Sequence, residues 1–446
     1  MTHDFDLREH QTISNAGTRD NDSVQADLGI RIISLGDQGP FDFTLFGPLI
    51  NDPDLNLHGV SERSANEMFA LAEECRKTWK SAVVDRQGKT EVDGKTKFAF
   101  PFQDNWDFEE HPEILTDIAP RLARAGQNLF TSIFEQKSDK GLKEIGETIR
   151  SALGSGERCV AITSNKLFQP WGMLYTQPEG SAKLADDGSN WVKAGFWGYQ
   201  HIVQQTSEKY KLENAIRPDS TGAVPASINF DDRISKVMKL PVIDEHIEFL
   251  RQLGAKITRT KKSELEAVFK QNRCDLERIV YFYCHGHGSG DGTSISPPYL
   301  EMTDDSVSAF DFQRWADGEK LPTSPLVFIN ACEGGQMTTM FYQSFAVELL
   351  DEGAVGLVGT QIDVPAVFAV EYAKEVFEKF FNRTSTRKER LGPLLKKVNR
   401  KLWDMNNNPL GLVYSLYRSI DCYIDWANTP VNDAAAFPPP KSTLSP

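Results

Sequence analysis

The spacing of apolar residues predicts strands and helices along most of the chain, and the pattern changes near residue 221. In the first part, segments 28–35 and 41–46 alternate apolar with polar residues, as strands with one buried face do. Further along, apolar residues recur at helical spacing and predict helices at 60–79, 113–134 and 139–153. The further strands predicted in this part are 96–100, 158–163 and 196–203.

After residue 221 the strands are apolar throughout and alternate with helices. Strands that are apolar at every position are buried on both faces, which is typical of parallel sheets covered by helices. We therefore predict an α/β fold with a mainly parallel sheet flanked by helices. The strands predicted here are 225–230, 255–258, 279–284, 326–329, 354–358 and 421–426, and the helices are 242–253, 265–271, 309–315, 343–350, 366–381 and 392–405.

A polar stretch at 210–225, with two prolines, predicts an internal boundary. The chain then divides into four segments. These are a flexible lead at 1–27, an N-terminal α/β region at 28–220, a C-terminal α/β domain at 221–430, and a disordered tail at 431–446.

Charge and cysteine content narrow the possible partners and the compartment. The chain has 446 residues and a net charge of −14, which disfavours nucleic acid and anionic membranes as partners. Its 6 cysteines are far apart and form no C-x-x-C pair, as in a cytosolic protein with reduced thiols. We see neither a signal peptide nor an apolar run long enough to span a membrane, and expect a soluble, cytoplasmic protein.

Two of the predicted strands end in residues that could perform chemistry. The strand of 279–284 runs into a glycine-rich turn with His285 as its first polar residue, and the strand of 326–329 leads into a glycine turn through Cys332. Sites in open α/β sheets form at the carboxyl ends of strands. An imidazole there can activate a thiol, and the backbone amides of Gly286 and Cys332 could stabilise an oxyanion.

These motifs resemble the caspase-like clan of cysteine peptidases. In caspases the cysteine lies in a Gln-Ala-Cys-x-Gly motif, with the histidine about 50 residues upstream; here the cysteine lies in Asn330-Ala331-Cys332-Glu333-Gly334. Details resemble the CHAT branch, relatives of caspases and separases. The residues that carry this resemblance are Cys284-His285-Gly286, Gly353–Thr360 with Asp363, and Asn408–Tyr414, and more weakly Pro170–Tyr175, which is similar to an element of the inactive first half of these proteins.

The resemblance implies a caspase-like domain preceded by a degenerate, pseudo-peptidase-like half, with His285 as base and Cys332 as nucleophile. It implies oxyanion donors at Gly286 and Cys332, and Asp363 as an acidic residue that selects Arg or Lys at the P1 position. Relatives commonly act in bacterial defence, including antiviral defence, or in regulated cell death. The implied partner is one specific protein substrate, a pore-forming or regulatory protein encoded nearby. Gly172 departs from the pattern, since relatives usually have a carboxylate there.

Other interpretations of these residues stay open at this point. His287 is the alternative base, because shifting the motif by two residues also gives a His-Gly pair. We expect no cofactor and no metal, because His285, His287 and Asp291 have no further ligands at suitable spacing. The glycine loop lacks the Lys-Ser/Thr of a phosphate-binding loop. A non-catalytic caspase-like scaffold and a small-molecule-sensing regulator are the rival functions.

Overall fold

A computed structural model gives the structure of part of the chain. The described residues are 23–36, 39–50, 57–92, 95–136, 139–164, 166–206, 214–234, 242–255, 257–270, 277–287, 298–316, 321, 323–332, 339–383 and 388–428. The predicted tail at 431–446 and most of the predicted lead at 1–27 therefore lie outside them.

The described residues form alternating strands and helices. The strands are β1 (Leu28–Ser34), β2 (Phe41–Phe46), β3 (His58–Ser61), β4 (Gly88–Val92), β5 (Lys95–Ala99), β6 (Cys159–Thr163), β7 (Ile202–Thr206), β8 (Ala215–Ile216), β9 (Ala226–Phe230), β10 (Ile257–Arg259), β11 (Ile279–His287), β12 (Tyr299–Glu301), β13 (Ser306–Ser308), β14 (Leu326–Cys332), β15 (Gly356–Thr360), β16 (Tyr414–Tyr417) and β17 (Tyr423–Ile424). The helices are α1 (Ala65–Ala82), α2 (Pro101–Asp104), α3 (Pro112–Phe134), α4 (Lys140–Gly154), α5 (Trp197–Gln200), α6 (Val242–Gln252), α7 (Lys262–Lys270), α8 (Ala309–Ala316), α9 (Thr339–Asp351), α10 (Ala366–Phe380) and α11 (Leu391–Asn406).

One large sheet runs through both regions of the chain, in the order β10-β9-β11-β14-β15-β16-β7-β6-β1-β2-β3, with β12 and β13 attached beside β11. Strands β10, β9, β11, β14 and β15 are mutually parallel, and so are β16, β7, β6 and β1. The two parallel groups meet antiparallel at β15 and β16. The fold is α/β with a mainly parallel sheet, which confirms the predicted fold class.

Side chains of the central strands alternate between two hydrophobic cores, one on each face of the sheet. In β11, Val280 and Phe282 pack into a core with Phe312 of α8 and Phe345 of α9. On the other face, alternate residues of β11 join a larger core that includes α6, α10 and α11. Continuous apolar strands thus arise because both faces are covered by helices.

Helix α1 belongs to the N-terminal region, and local signals fix where it begins. Ser64 accepts a hydrogen bond from the backbone N–H of Glu67, and the Glu67 side chain accepts one from the backbone N–H of Ser64. Such a capping box satisfies donors that the first turn leaves unpaired. The buried face of α1 includes Met68 and Trp79 and packs against α3.

Some element predictions differ from the structure. Residues 196–203, predicted as one strand, form the short helix α5 and then β7, because Trp197 anchors a helical turn by burying its ring. The predicted strand at 421–426 is shortened to β17, and β16 was not predicted, since four residues are too few to show a period. Strands from both sides of residue 220 belong to the same large sheet. The domain boundary at that residue stays a prediction.

Two motifs that carried the resemblance contact each other. The turn at Trp171–Met173 packs against the turn at Pro409–Val413, where a Cβ added to Gly172 would lie 2.8 Å from the Leu412 carbonyl oxygen. Glycine is required at 172 by this close approach of two backbones. No helix within the described ranges is both long and apolar enough to cross a bilayer.

Candidate active site

Strands β11 and β14 bring the two predicted catalytic positions to one place at the carboxyl edge of the sheet. They are parallel neighbours in register from Ile279 opposite Leu326 to His285 opposite Cys332. The Cα atoms of His285 and Cys332 are therefore direct cross-strand partners. Adjacent strands are about 4.8 Å apart, so the backbones of these two residues are close neighbours.

His285 lies at the junction of three strands. Its imidazole is half-buried, and its Nδ1 atom is buried with no hydrogen-bond partner among the described residues. On the side away from β14, its cross-strand partner is Glu301 of β12.

The Glu301 carboxylate belongs to an ion-pair cluster beside His285. It pairs with Arg233 at 2.8 Å, and the Arg233 guanidinium also binds both carboxylate oxygens of Asp231 at 2.8 Å. Hydrogen bonding to Asp231 and the nearby carboxylates raise the pKa of Arg233 further. Asp231 directly follows β9 and is 1% exposed, so the cluster braces the sheet edge around His285.

Asn330 anchors β14 two residues before Cys332. Its side-chain amide donates to the Tyr281 hydroxyl at 3.1 Å and to the Ala369 carbonyl at 2.6 Å, and its Oδ1 accepts from the Tyr414 hydroxyl at 2.6 Å. The Tyr281 oxygen also lies 2.9 Å from Nε2 of His246. Asn330 is fully buried, and this network fixes the end of the strand that presents the cysteine.

Asp363 follows β15 at the same edge of the sheet. Strand β15 is the parallel neighbour of β14, with Ile329 opposite Gly359. The Asp363 side chain is 3% exposed, and its Oδ2 accepts a hydrogen bond from Lys80 Nζ at 2.8 Å. The family resemblance implied a role for Asp363, whereas nothing in the pattern of α1 indicated Lys80 as its partner.

The segment between β15 and Asp363 is held from two sides. Gln361 Nε2 donates to the hydroxyls of Ser415 and Tyr417 at 2.9 and 2.7 Å, and its Oε1 accepts from Nε and Nη2 of buried Arg76 at 3.1 and 2.6 Å. Helix α1 and strand β16 therefore both position the residues that precede Asp363. The sequence analysis did not predict these contacts. The signal that could have indicated them is Gln361 itself, a polar residue directly after an apolar strand.

Other predicted site residues are described only in part. Gly286 and His287 extend β11 and lie opposite Leu300 and Tyr299 of β12. Nothing is described for residues 288–297 and 333–338, so the rest of both glycine loops lies outside the described residues. Among the residues the structure describes, no cluster of three or more His, Cys, Asp or Glu side chains could hold a metal.

Four other cysteines are buried and free of disulfides. These are Cys75, Cys159, Cys284 and Cys422. Burial raises the pKa of Cys75 and of Cys159 to about 12, and that of Cys422 is also raised by burial. Thiols with such pKa values carry almost no thiolate near neutral pH and are poor nucleophiles.

The C-terminal part of the chain matches a known peptidase family in sequence. Residues 206–419 match the family model described as peptidase family C25. A probable protease from Vitiosangium sp. (strain GDMCC 1.1324) is 26% identical over 261 residues. That alignment covers 53% of this chain and 31% of the relative, so the chain spans less than two thirds of the relative's length.

Two solved structures are distantly similar. A complex of the Porphyromonas gingivalis RgpB pro- and mature domains gives a TM-score of 0.37 at 12% identity, over 72% of this chain and 76% of that one. The Saccharomyces cerevisiae separase–securin complex gives 0.42 at 11% identity, over 88% of this chain and 30% of that one. The similarity to peptidase family C25 thus covers the part of the chain that contains both β11 and β14.

Proposed function

We propose that the chain is a cysteine endopeptidase in which Cys332 is the nucleophile and His285 the general base. The observation that carries the proposal is the register of β11 and β14, in which His285 and Cys332 are direct cross-strand partners. Positions opposite each other on adjacent strands lie on the same face of a sheet. The family match over residues 206–419 independently supports this class of enzyme.

In the proposed mechanism, His285 takes the proton of the Cys332 thiol, and the thiolate forms a bond to the scissile carbonyl carbon. Backbone amides of Gly286 and Cys332 stabilise the oxyanion. The C–N bond then breaks, and His285 delivers its proton to the leaving amine. Water, deprotonated by His285, attacks the thioester, and the acid product leaves as Cys332 regains its proton.

The register of β11 and β14 supports the choice of His285 over His287 as base. His285 is the cross-strand partner of Cys332, whereas His287 lies two positions further along β11. His287 remains the alternative base, and separate variants at the two positions distinguish them.

Asp363 is the proposed acidic residue of the P1 pocket. Its carboxylate is buried at the carboxyl edge that carries His285 and Cys332, and it already binds one cation. A substrate Arg or Lys can form the same charge-assisted hydrogen bonds in this low-dielectric place.

The biological setting that we propose follows from the CHAT resemblance. The enzyme cleaves one specific protein, a pore-forming or regulatory protein encoded nearby, in a bacterial defence or regulated cell-death system. Mass spectrometry of neighbouring gene products after incubation with the enzyme would report both the target and the P1 residue. An absence of cleavage in every neighbouring product would contradict this setting.

The test of the catalytic residues is covalent labelling by peptidyl acyloxymethyl ketones, followed by peptide mass spectrometry. We expect labelling at Cys332 in wild type and in Cys75→Ala, which removes a buried thiol with a raised pKa. We expect no labelling in Cys332→Ala, and at least 100-fold slower labelling in His285→Ala than in His287→Ala.

A peptide panel with different P1 residues complements the labelling. Turnover by wild type that Cys332→Ala abolishes supports the peptidase. Equal turnover by wild type and Cys332→Ala, or labelling at another cysteine, would overturn the proposal. A non-catalytic caspase-like scaffold would then be the better interpretation.

A further inference from the structure

The buried carboxylate of Asp363 receives its counterion from a helix 283 residues earlier in the chain. Lys80 Nζ lies 2.8 Å from Asp363 Oδ2, yet the two side chains differ in exposure: 36% for Lys80 and 3% for Asp363. The carboxylate is thus fixed inside the protein, whereas the lysine reaches it from the surface.

A cavity of about 320 Å³ opens beside this ion pair, between α1 and the segment after β15. Its lining includes Lys80, Asp363, Ile362, Lys77 and Asp85. A volume of this size accommodates the side chain of an arginine or lysine. The cavity therefore gives a ligand side chain access to the Asp363 carboxylate, which is now ion-paired with Lys80.

We propose that Lys80 is a replaceable counterion, which a basic ligand side chain displaces from Asp363 when it enters this cavity. That the incoming side chain is the P1 residue of a substrate rests on the proposed function. In the unliganded protein, Lys80 supplies a counterion to the buried carboxylate, and breaking a buried ion pair by removing one partner is destabilising.

Exchange of one cation for another at Asp363 leaves the charge of the pocket unchanged. The Lys80 side chain is 36% exposed, and α1 has a second attachment to this segment because Arg76 of the same helix binds Gln361. A guanidinium can bind a carboxylate with two parallel hydrogen bonds, whereas an ammonium donates from a single nitrogen. The exchange therefore favours arginine over lysine as the entering residue.

The test measures binding of agmatine, a decarboxylated arginine, to the full chain by isothermal titration calorimetry at pH 8, in the Cys332→Ala background. No turnover is needed, so the result stands whether or not the chain proves to be a peptidase. We expect Lys80→Gln to bind agmatine about 5–10-fold more tightly, because the ligand no longer competes with an internal cation. We expect Lys80→Arg to bind it more weakly than the parent protein.

Two matched variants control this experiment. Lys77→Gln removes an exposed lysine from the same cavity without touching the ion pair, and its affinity should equal that of the parent. Asp363→Asn should lose agmatine binding. Equal affinities of Lys80→Gln and Lys77→Gln, or agmatine binding that survives Asp363→Asn, would overturn the proposal. Circular dichroism of each variant confirms that it is folded.

The same variants separate this inference from the proposed function. With peptides that carry arginine or citrulline at P1, Lys80→Gln should raise the preference for arginine through a lower KM. If agmatine binds as expected but no peptide is cleaved in a Cys332-dependent way, the peptidase proposal fails and the counterion exchange stands. If peptides are cleaved but the agmatine affinities do not follow this order, the counterion proposal alone fails.

Discussion

Asn330 shows how a single polar residue in an apolar strand can serve a site without taking part in chemistry. Its three hydrogen bonds join β14 to β11, to α10 and to the residue that begins β16. In the sequence it is one letter of the cysteine motif, and its neighbours in that motif give no indication of its partners. Those partners lie 39 to 84 residues away, so only the folded chain reveals the anchor.

We expect Asn330→Leu to destabilise the protein by about 2–4 kcal/mol, because buried polar groups of Tyr414 and Ala369 lose their partner. Urea unfolding measures this change. The double variant with Tyr414→Phe should recover part of the loss, since the unpaired hydroxyl is then absent. If the double variant loses the sum of the two single effects, the hydrogen bond is not what stabilises this strand end.

Two buried histidines make the protein sensitive to acid. Burial lowers the pKa of His201 and of His246 to about 3, with further lowering by nearby cations such as Lys374 for His246. In the unfolded chain the pKa of histidine is about 6.5. Below that pH the unfolded state binds protons that the folded state does not, so stability is full above pH 6.5 and falls as the pH drops towards 3.

Each of these histidines should contribute a slope of up to about 1.4 kcal/mol per pH unit between pH 6.5 and 3. Urea unfolding at a series of pH values measures the slope. His246→Gln should flatten it, while His111→Gln, at an exposed position, serves as the control. An unchanged slope in His246→Gln would show that this histidine is not the acid-sensitive group.

Among the strands and helices, the sequence pattern predicted the elements that are long or that end in a motif. Strands β11 and β14 were predicted because continuous apolar runs lead into glycine turns. Their register, which sets His285 opposite Cys332, could not be predicted because the apolar runs allow several alignments. The contact of Lys80 with Asp363 depends on how α1 packs, which no local pattern encodes.

Strand β16 is the element whose absence from the prediction matters most. It joins β15 on one side and β7 on the other, and thereby unites the two parallel groups of strands. Four residues do not establish a period of two, so this strand could not be distinguished from a loop by pattern alone. The predicted division of the chain near residue 220 followed from composition and could not take the shared sheet into account.

For the whole molecule, the continuous sheet predicts that the two regions unfold together. Hydrogen bonds such as Arg418 N–H to the Gln205 carbonyl at 2.7 Å cross the seam between them. The ion pair of Lys80 with Asp363 and the bonds of Arg76 to Gln361 add side-chain contacts across it. Neither region can separate without exposing strand edges and buried charges.

We therefore expect differential scanning calorimetry of the full chain to show one cooperative transition, with equal calorimetric and van't Hoff enthalpies. Two separate transitions would show that the regions behave as independent domains, as the composition near residue 220 suggests. Limited proteolysis in the native state provides a second measure, since independent domains would be released as stable fragments.

The position of β16 also sets the order in which the site can be completed during synthesis. The histidine and cysteine strands leave the ribosome well before residues 414–417, yet the Gln361 side chain and its backbone N–H are held by Ser415, Tyr417 and Val413. A nascent chain that lacks those residues has both strands of the proposed dyad, but only Arg76 of α1 holds the Gln361 side chain. The segment that carries Asp363 is thus fully held only after the strand that joins the two parallel groups has been made.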